Sequence, residues 1–405
     1  MVDGGLAGVR QHGGISFGVD KGEDWTMTHI DNPTSAPVDG VSIVIATKGR
    51  VELLRRLLES LVDARRNYSG NTEVILVDDS PRQELVQIES LCQKYDARRI
   101  FFSPSVSGKR NFGARAAKYE IVLFLDSDCV ATPHLIEHHL LKYNAFDIGG
   151  VAGPLEFRGA ENWFWKAVTA TPFIICFQMP NWGETSSWAT TANFSVRKSA
   201  FFDVGGFDES FPNKPGGEDV DFGLRMTKRG YTIANTHEGL VYHDKETWMD
   251  PKQMFRRCWY YGRADAYLVE RHPDYSCSAT PRRLLLMLLA EVGMLAIVPK
   301  KCIPILSAVA LWPATNWLTR SILNVYLGFQ KTDLFHQAAA QLLIDTNQLG
   351  YIWECFFGKK YYALNRQTVF FDNQLKSVLY NGSIDFLQFM TLFILMLTFG
   401  TRPND

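Results

Sequence analysis

The sequence predicts an α/β protein whose first large domain is a parallel sheet covered by helices. Three observations lead to this prediction. Short apolar runs alternate with helix-patterned stretches, acidic residues follow the apolar runs, and the last third of the chain is helical and increasingly apolar. Strands that alternate with helices are typical of parallel sheets with right-handed crossovers. Ligands bind such sheets at the carboxyl ends of the strands, where these acidic residues fall.

The elements follow from the spacing of apolar residues. A β-branched run predicts a first strand at Val41–Ala46, and leucines at helical spacing predict a helix over 51–62. The apolar run Glu73–Asp78 predicts a second strand, and a helical stretch then leads to Arg99–Phe102. The remaining elements are a loop at 103–108, a helix through Ala117, a strand at Ile121–Leu125, a looser region over 149–243 and a helix over 219–229 that Gly230 ends.

Two acidic clusters end predicted strands. Asp126-Ser127-Asp128 follows the strand at 121–125, and two carboxylates there can hold a divalent cation against a diphosphate. Asp78-Asp79 closes the neighbouring strand, where a carboxylate can accept the imide N–H of uracil or thymine. Both clusters also suit ordinary turns after strands, so the tripeptide alone is weak support for a site.

A third cluster, Gly216-Gly217-Glu218-Asp219-Val220-Asp221, places acids in the first turn of a helix. The helix dipole favours acids at this position, so capping competes with a role as general base. His243 follows a short apolar strand and can bind a metal through a ring nitrogen, although a structural histidine is the commoner case.

In this order the motifs resemble the family 2 glycosyltransferases of the GT-A fold. The resemblance covers about residues 41–265. It rests on the following segments: Val41–Arg50, Val77–Ser80, Ser107–Ala114, Asp126–Asp128, Val204–Glu209, Gly217–Asp219 and Tyr242–His243. It implies a Rossmann-like, nucleotide-diphospho-sugar transferase domain at 41–265. Residues 1–40 are rich in Gly, Asp and Thr without periodicity, which predicts a disordered leader, and the apolar stretches after residue 265 predict a helical, membrane-associated region at 266–405.

The resemblance also implies roles for single residues. Thr47 and Asp79 would hold the nucleobase, Arg50 would lie near the same pocket, and Arg110 would lie beside base and ribose. Asp126 would contact the ribose or the metal's water shell.

Four further roles follow from the same resemblance. Asp128 and His243 would bind Mn²⁺ or Mg²⁺, and Asn193 would line the donor-sugar pocket. Asp219 would be the catalytic base, supported by Glu218.

These roles imply an inverting transfer of a sugar from a nucleoside diphosphate, UDP or dTDP, to an acceptor hydroxyl. Breaking the sugar–phosphate bond builds negative charge that a cation neutralises. The acceptor stays open among a lipid, a polysaccharide, a peptide and a small metabolite. One alternative is a haloacid-dehalogenase-like phosphohydrolase using Asp126 and Asp128, whose motif normally closes the first strand. The other is a non-catalytic sugar-nucleotide-binding relative.

Composition excludes some partners and suggests a compartment. A formal net charge of −1 provides no positive electrostatic field that would attract nucleic acid. The 7 cysteines are widely spaced without a CxxC pair, which predicts reduced thiols and a cytoplasmic setting.

The carboxyl-terminal third contains three apolar stretches of about 14–16 residues, at 284–298, 303–318 and 386–399. Helices of this length reach about 21–24 Å, short of a bilayer core of about 30 Å. Basic pairs flank the first stretch, so we expect helices lying at the cytoplasmic face of a membrane. A soluble helical domain and true membrane spans are the alternatives.

Overall fold

The structure is a computed structural model. It describes residues 39–102, 105–145, 147–211, 216–278 and 333–369. The predicted leader up to residue 38 and the three apolar stretches lie outside these ranges.

An eight-stranded sheet forms the centre of the described fold. Its strands run in the order β3-β2-β1-β4-β9-β6-β10-β8. Their bounds are Gly40–Thr47 (β1), Asn71–Asp78 (β2), Arg98–Phe101 (β3), Ile121–Asp126 (β4), Ile148–Ala152 (β6), Thr185–Ser186 (β8), Asn193–Arg197 (β9) and Thr232–Asn235 (β10). The first four strands are parallel, whereas β9 runs antiparallel to both β4 and β6. The predicted parallel sheet is therefore confirmed for the first half of the domain.

Helices cover both faces of this sheet. Their bounds are Val51–Asn67 (α1), Leu85–Lys94 (α2), Val106–Ala116 (α3), Leu135–Leu140 (α4), Trp163–Thr169 (α5), Lys198–Asp203 (α6), Glu218–Lys228 (α7), Glu246–Met249 (α8), Pro251–Arg271 (α9) and Leu334–Phe357 (α10). Short 3-10 helices lie at Arg82–Glu84, Pro172–Asn181, Pro273–Tyr275 and Tyr361–Asn365.

The central strand β1 is apolar on both sides because both sides are covered. Ile43 and Ile45 join the core that contains the leucines of α1, whereas Val44 joins the core that contains Ala114 of α3. A strand with one face in water would alternate polar and apolar residues instead. This two-sided burial explains why the sequence of β1 is a continuous apolar run.

The helix α3 begins earlier than predicted. Residues 103–108 were expected to form a loop, yet α3 starts at Val106. The Ser105 side chain accepts a hydrogen bond from the backbone N–H of Gly108 at 3.1 Å, which caps the helix. This cap brings Lys109 and Arg110 into the first turns of a helix.

A three-stranded sheet with the order β5-β11-β7 lies beside the large one. Its strands are Cys129–Ala131 (β5), Leu155–Arg158 (β7) and Val241–Asp244 (β11). In the antiparallel pairing of β5 with β11, His243 lies opposite Cys129. This register carries His243, distant in sequence, to the residue that follows Asp128.

The predicted boundary after residue 265 falls inside α9, which continues to Arg271. Two glycines let α9 and α10 pack closely: a Cβ on Gly262 would collide with the Asn347 carbonyl oxygen, and one on Gly350 with the carbonyl oxygen of Trp259. The strands Ser276–Ser278 (β12) and Arg366–Thr368 (β13) pair antiparallel next to these helices. Among the described helices, none is both long and apolar enough to cross a membrane.

Candidate active site

The carboxyl ends of three neighbouring strands bring the predicted acids together. β1 pairs with β2 on one side and with β4 on the other, so Thr47 lies opposite Asp78, and Ala46 opposite Asp126. Asp79 and Asp128 follow directly on these strand ends. Parallel strands place such residues at one edge of the sheet, as the sequence predicted.

Asp128 and His243 form a pair whose atoms suit a divalent cation. Oδ1 of Asp128 lies 3.2 Å from Nε2 of His243, and both side chains are about 6% exposed. Nδ1 of His243 lies 2.9 Å from the carbonyl oxygen of Asp244, which can only accept, so Nδ1 carries the proton. In the neutral ring Nε2 then presents a lone pair toward the carboxylate. Imidazole nitrogen held this way, with a carboxylate oxygen, can serve as a pair of ligands for a divalent cation.

Cys129 completes a group of three side chains whose donor atoms all lie within 4.8 Å of one another. Burial and the neighbouring charges of Asp128 and Asp126 raise the pKa of the Cys129 thiol well above its usual value. Its Sγ lies 3.7 Å from the carbonyl oxygen of Ala192. A neutral thiol is a poor ligand for a hard cation, so Asp128 and His243 are the fitting ligands.

A cavity of about 180 Å³ opens beside this pair, and Arg56 and Arg158 line it together with Asp128 and His243. Arg56 donates to Asp244 over 2.7 Å. The two guanidinium groups and the carboxylates of Asp128 and Asp244 thus line one cavity beside the candidate metal ligands.

Arg50 contacts Asp128. Its Nη1 donates to Oδ2 of Asp128 over 2.9 Å. The residue precedes α1 and has a left-handed backbone, with φ of 56°. This conformation costs a residue with a side chain roughly 1–3 kcal/mol, and such strain often accompanies functional sites. Arg50 was predicted near the base pocket, whereas its guanidinium donates to the carboxylate of Asp128, a candidate metal ligand.

Asp79 pairs with two lysines. Lys109 donates to its Oδ1, and Lys48 donates to Oδ2 over 3.2 Å. Lys109 also donates to the carbonyl oxygen of Thr47 over 2.7 Å, which joins β1 to this carboxylate. The sequence analysis missed Lys109, although a cation directly before Arg110 in the same motif was a usable signal. The neighbouring Asp78 is fully buried and binds Arg99 at 2.7 Å, so its role is structural.

Arg110 joins the two acidic clusters. Its Nη2 donates to Asp126 over 3.0 Å and its Nη1 to Glu218 over 2.8 Å. The other oxygen of Glu218 accepts from the backbone N–H of Gly216 at 2.7 Å. Both carboxylates are thereby held by one buried guanidinium, and the start of α7 is tied to the end of β4.

Asp219 stands next in α7 and is half-buried. Its Oδ1 accepts from the backbone N–H of Val220 at 2.9 Å. Burial, followed by the charge of Glu218, raises the pKa of Asp219 to about 7, although the charge of Arg110 opposes the rise. A carboxylate with a pKa near neutrality is suited to accept a proton at physiological pH.

Asn193 is placed away from a ligand-binding role by its hydrogen bonds. The side chain is fully buried, and its Nδ2 donates to the carbonyl oxygens of Pro154 and Gly239 at 2.8 and 2.7 Å. Its Oδ1 lies 2.9 Å from Nε2 of His139. The amide is thus committed to neighbouring protein groups, and no contact supports the predicted place in the donor-sugar pocket.

Three further residues near these elements differ in how far they are available to a ligand. Arg263 of α9 donates to Glu354 on α10 at 2.7 Å. Trp188 is buried, and its Cα and Cβ pack against Gly223 of α7. Trp182 remains 53% exposed and can meet a ligand.

The sheet order and the strand-end acids define the class of the protein as a nucleotide-sugar transferase domain of the GT-A fold. The chain belongs to the family 2 glycosyltransferases. The family model described as "Glycosyl transferase family 2" matches residues 42–207, and "Glycosyltransferase like family 2" matches residues 172–269.

Similar proteins include the chondroitin synthase of Escherichia coli, 25% identical, with 51% of this chain and 35% of the relative covered. The pre-mycofactocin glycosyltransferase of Mycobacterium tuberculosis is 29% identical, with 62% of this chain and 52% of the relative covered. The chain thus spans about a third to a half of the length of these two relatives. The mannosyltransferase PcManGT of Pyrobaculum calidifontis, solved with GDP-Man and Mn²⁺, is 12% identical at a TM-score of 0.48, with 80% of this chain and 91% of that chain covered.

The family assignment removes the phosphohydrolase alternative. Asp126 and Asp128 follow the fourth strand of the chain, not the first, and the matched family model covers all of these strands.

Proposed function

We propose that the chain transfers a sugar from a UDP- or dTDP-linked donor to an acceptor hydroxyl, with inversion at the sugar carbon and Asp219 as general base. The observation that carries this proposal is the surroundings of Asp219. A half-buried carboxylate with a pKa near 7 is tied, through Glu218 and Arg110, to the strand end that bears Asp126.

The nucleotide would lie along the strand ends. An ionised carboxylate has about four acceptor positions, so Asp79 can accept the imide N–H of uracil or thymine while it keeps its two lysines. Thr47 borders the same position from β1, and Arg110 would approach the ribose together with Asp126. Arg56 and Arg158 line the cavity into which the diphosphate would extend.

Asp128 and His243 would hold Mn²⁺ or Mg²⁺. Such a cation, when bound, neutralises the charge that develops on the departing diphosphate.

Asp219 would take the proton from the acceptor hydroxyl as that oxygen attacks the sugar carbon. A carboxylate performs this role only when it is deprotonated, and with a pKa of about 7 a large fraction of Asp219 is deprotonated at neutral pH. Glu218 acts on Asp219 in two ways: its charge helps to raise the pKa, and its hydrogen bonds fix the start of α7. A single displacement with a base on the acceptor side inverts the sugar carbon.

The acceptor and the compartment belong to the same proposal. We expect the protein to act at the cytoplasmic face of a membrane, through the predicted helical region at 266–405, of which 279–332 and 370–405 are not described. The acceptor stays open among a lipid, a polysaccharide, a peptide and a small metabolite.

A donor screen tests the function. Purified protein is incubated with a panel of nucleotide sugars, and release of the nucleoside diphosphate is measured with Mn²⁺, with Mg²⁺ and with excess chelator. We expect turnover of a uridine or thymidine diphosphate sugar that depends on the metal and that Asp128→Ala abolishes. The variant Asp63→Asn, exposed on α1, serves as control for a lost carboxylate. Full turnover in chelator would overturn the metal assignment, and metal-dependent donor binding without turnover toward any acceptor would favour the non-catalytic relative.

A further inference from the structure

The carboxylate of Asp128 faces two different partners. Oδ1 lies 3.2 Å from Nε2 of His243, and Oδ2 accepts from Arg50 at 2.9 Å. The Asp128 side chain is 6% exposed, whereas that of Arg50 is 43% exposed. His243 is therefore held inside the fold, whereas Arg50 reaches Asp128 from the surface.

Arg50 is built to change partners. Within the described parts of the chain, Asp128 is the only hydrogen-bond partner of its guanidinium, so most of the five N–H donors of that group remain available. It follows the carboxyl end of β1, which adjoins β4 in the sheet, so its side chain starts at the edge where a diphosphate would lie. Arginine binds phosphate oxygens in the same forked geometry as carboxylate oxygens.

A divalent cation and Arg50 compete for the same charge. A metal on Asp128 and His243 would place two positive charges beside a guanidinium that shares the carboxylate. Like charges this close repel, and the repulsion is screened little around a buried group. A diphosphate would relieve this repulsion, because its oxygens can accept hydrogen bonds from the guanidinium while they also bind the metal.

We propose that Arg50 is an exchangeable cation that couples metal binding to diphosphate binding. It rests on Asp128 before the donor arrives and moves to the phosphates when metal and diphosphate bind together. The site then takes the metal chiefly as part of the donor complex, and it binds the free ion weakly. This inference rests on the proposed function, and it gives Arg50 a role other than contact with the base.

Metal titration tests the exchange without any turnover. Mn²⁺ is titrated into the full chain, and the free ion is followed by its electron paramagnetic resonance signal, with and without UDP or dTDP. The variant is Arg50→Gln, which removes the charge and keeps a polar side chain. The matched control is Arg55→Gln on α1, the helix that follows Arg50, where Arg55 contacts the exposed Glu52 and Glu59.

Arg50→Gln should bind Mn²⁺ alone at least threefold more tightly than the wild type, because the competing cation is gone. The tightening of Mn²⁺ binding by the diphosphate should shrink at least tenfold, since the guanidinium no longer moves to the phosphates. Arg55→Gln should match the wild type in both measurements, and Arg50→Lys, which keeps the charge, should lie between. Thermal unfolding of each variant shows that it is folded.

Two results would overturn the inference. Weaker or unchanged Mn²⁺ binding by Arg50→Gln would mean that Arg50 only orients Asp128, and an undiminished effect of the diphosphate would remove the coupling. The variant Asp128→Asn separates this failure from a failure of the proposed function. If the wild type binds Mn²⁺ no better than Asp128→Asn, the metal site itself is wrong, whereas a clear difference between them confines the failure to Arg50.

Discussion

Asp219 and Asp221 lie two residues apart in the first turn of α7, and their surroundings differ in nearly every respect. Asp219 is half-buried beside Glu218, and within the described residues its carboxylate accepts one hydrogen bond, from the backbone N–H of Val220 at 2.9 Å. Asp221 is 1% exposed and accepts from His272 and Arg225 at 2.9 and 2.8 Å. Burial raises the pKa of Asp219 to about 7, with the charge of Glu218 adding to it. Burial alone would raise the pKa of Asp221 as well, but the hydrogen bond from His272 and the charge of Arg225 lower it.

The difference shows that cationic partners, more than depth, decide what a buried carboxylate can do. Asp221 stays charged and holds α7 against the end of α9, where His272 lies. The pKa of Asp219 stays near 7 because burial and the charge of Glu218 outweigh the opposing charge of Arg110, which also binds Glu218 and Asp126. The same helix turn thus combines a structural anchor with a candidate base.

The largest effect should come from Asp219→Asn. Asparagine keeps the shape and can still accept from Val220, so a helix cap would survive, whereas a general base would not. We expect kcat to fall by about 10²–10⁴-fold while the affinity for metal and nucleoside diphosphate changes little. Steady-state kinetics and calorimetric titration measure the two quantities. A fully active variant would remove the role proposed for Asp219 and leave Glu218 and Asp221, both already engaged in ion pairs, as the remaining candidates.

The corresponding change at the neighbouring site, Asp221→Asn, should act on stability instead. It leaves His272 and Arg225 without the charge they share, and breaking a buried ion pair costs about 3 kcal/mol. Urea unfolding should show this loss, with Asp63→Asn as the exposed control. The folded fraction should keep a kcat within a few-fold of the wild type, and a selective loss of turnover at unchanged stability would reverse the roles of the two aspartates.

Asp219→Asn should also stabilise the fold in a pH-dependent way. The pKa of Asp219 is about 7 in the folded chain against an ordinary value of 3.8, so the folded state holds this proton more tightly. The wild type therefore loses stability as pH rises from about 4 through 7, and asparagine avoids that loss. The gain in melting temperature should be greatest above pH 7 and absent near pH 4. A gain that is equal at both pH values would show that burial of the charge is not its cause.

The smallest effect is expected for nucleotide selectivity at Asp79. This carboxylate accepts hydrogen bonds from two lysines and, by our proposal, from the imide N–H of uracil or thymine. UDP should bind more tightly than CDP by tenfold or more, because the cytosine ring lacks that N–H and a hydrogen bond to a charged group contributes about 1.5–3 kcal/mol. Competition binding measures the ratio, and Asp79→Ala should bring it close to one. Equal binding of UDP and CDP by the wild type would leave Asp79 with a purely structural part beside Lys109.

Local pattern was enough to predict the strands that carry the site. β1, β2 and β4 are continuous apolar runs, and an acid after each of two of them already indicated a shared edge. The looser region was harder, because the signals there are not local. Asn193 lies in a motif typical of a donor pocket, yet His139, Pro154 and Gly239, from three other parts of the chain, occupy its amide. No spacing rule contains that information.

The sequence by itself determined the fold class, the family and which acidic residues are candidates for the site, since apolar periodicity and motif order are properties of the linear sequence. Only the tertiary structure decided the partner of each charge. It set Arg50 on Asp128, Lys109 on Asp79 and Arg110 between Asp126 and Glu218. The physical reason is that the energy of a charge depends on distance and burial in space, and residues up to about a hundred positions apart become neighbours only when the sheet assembles.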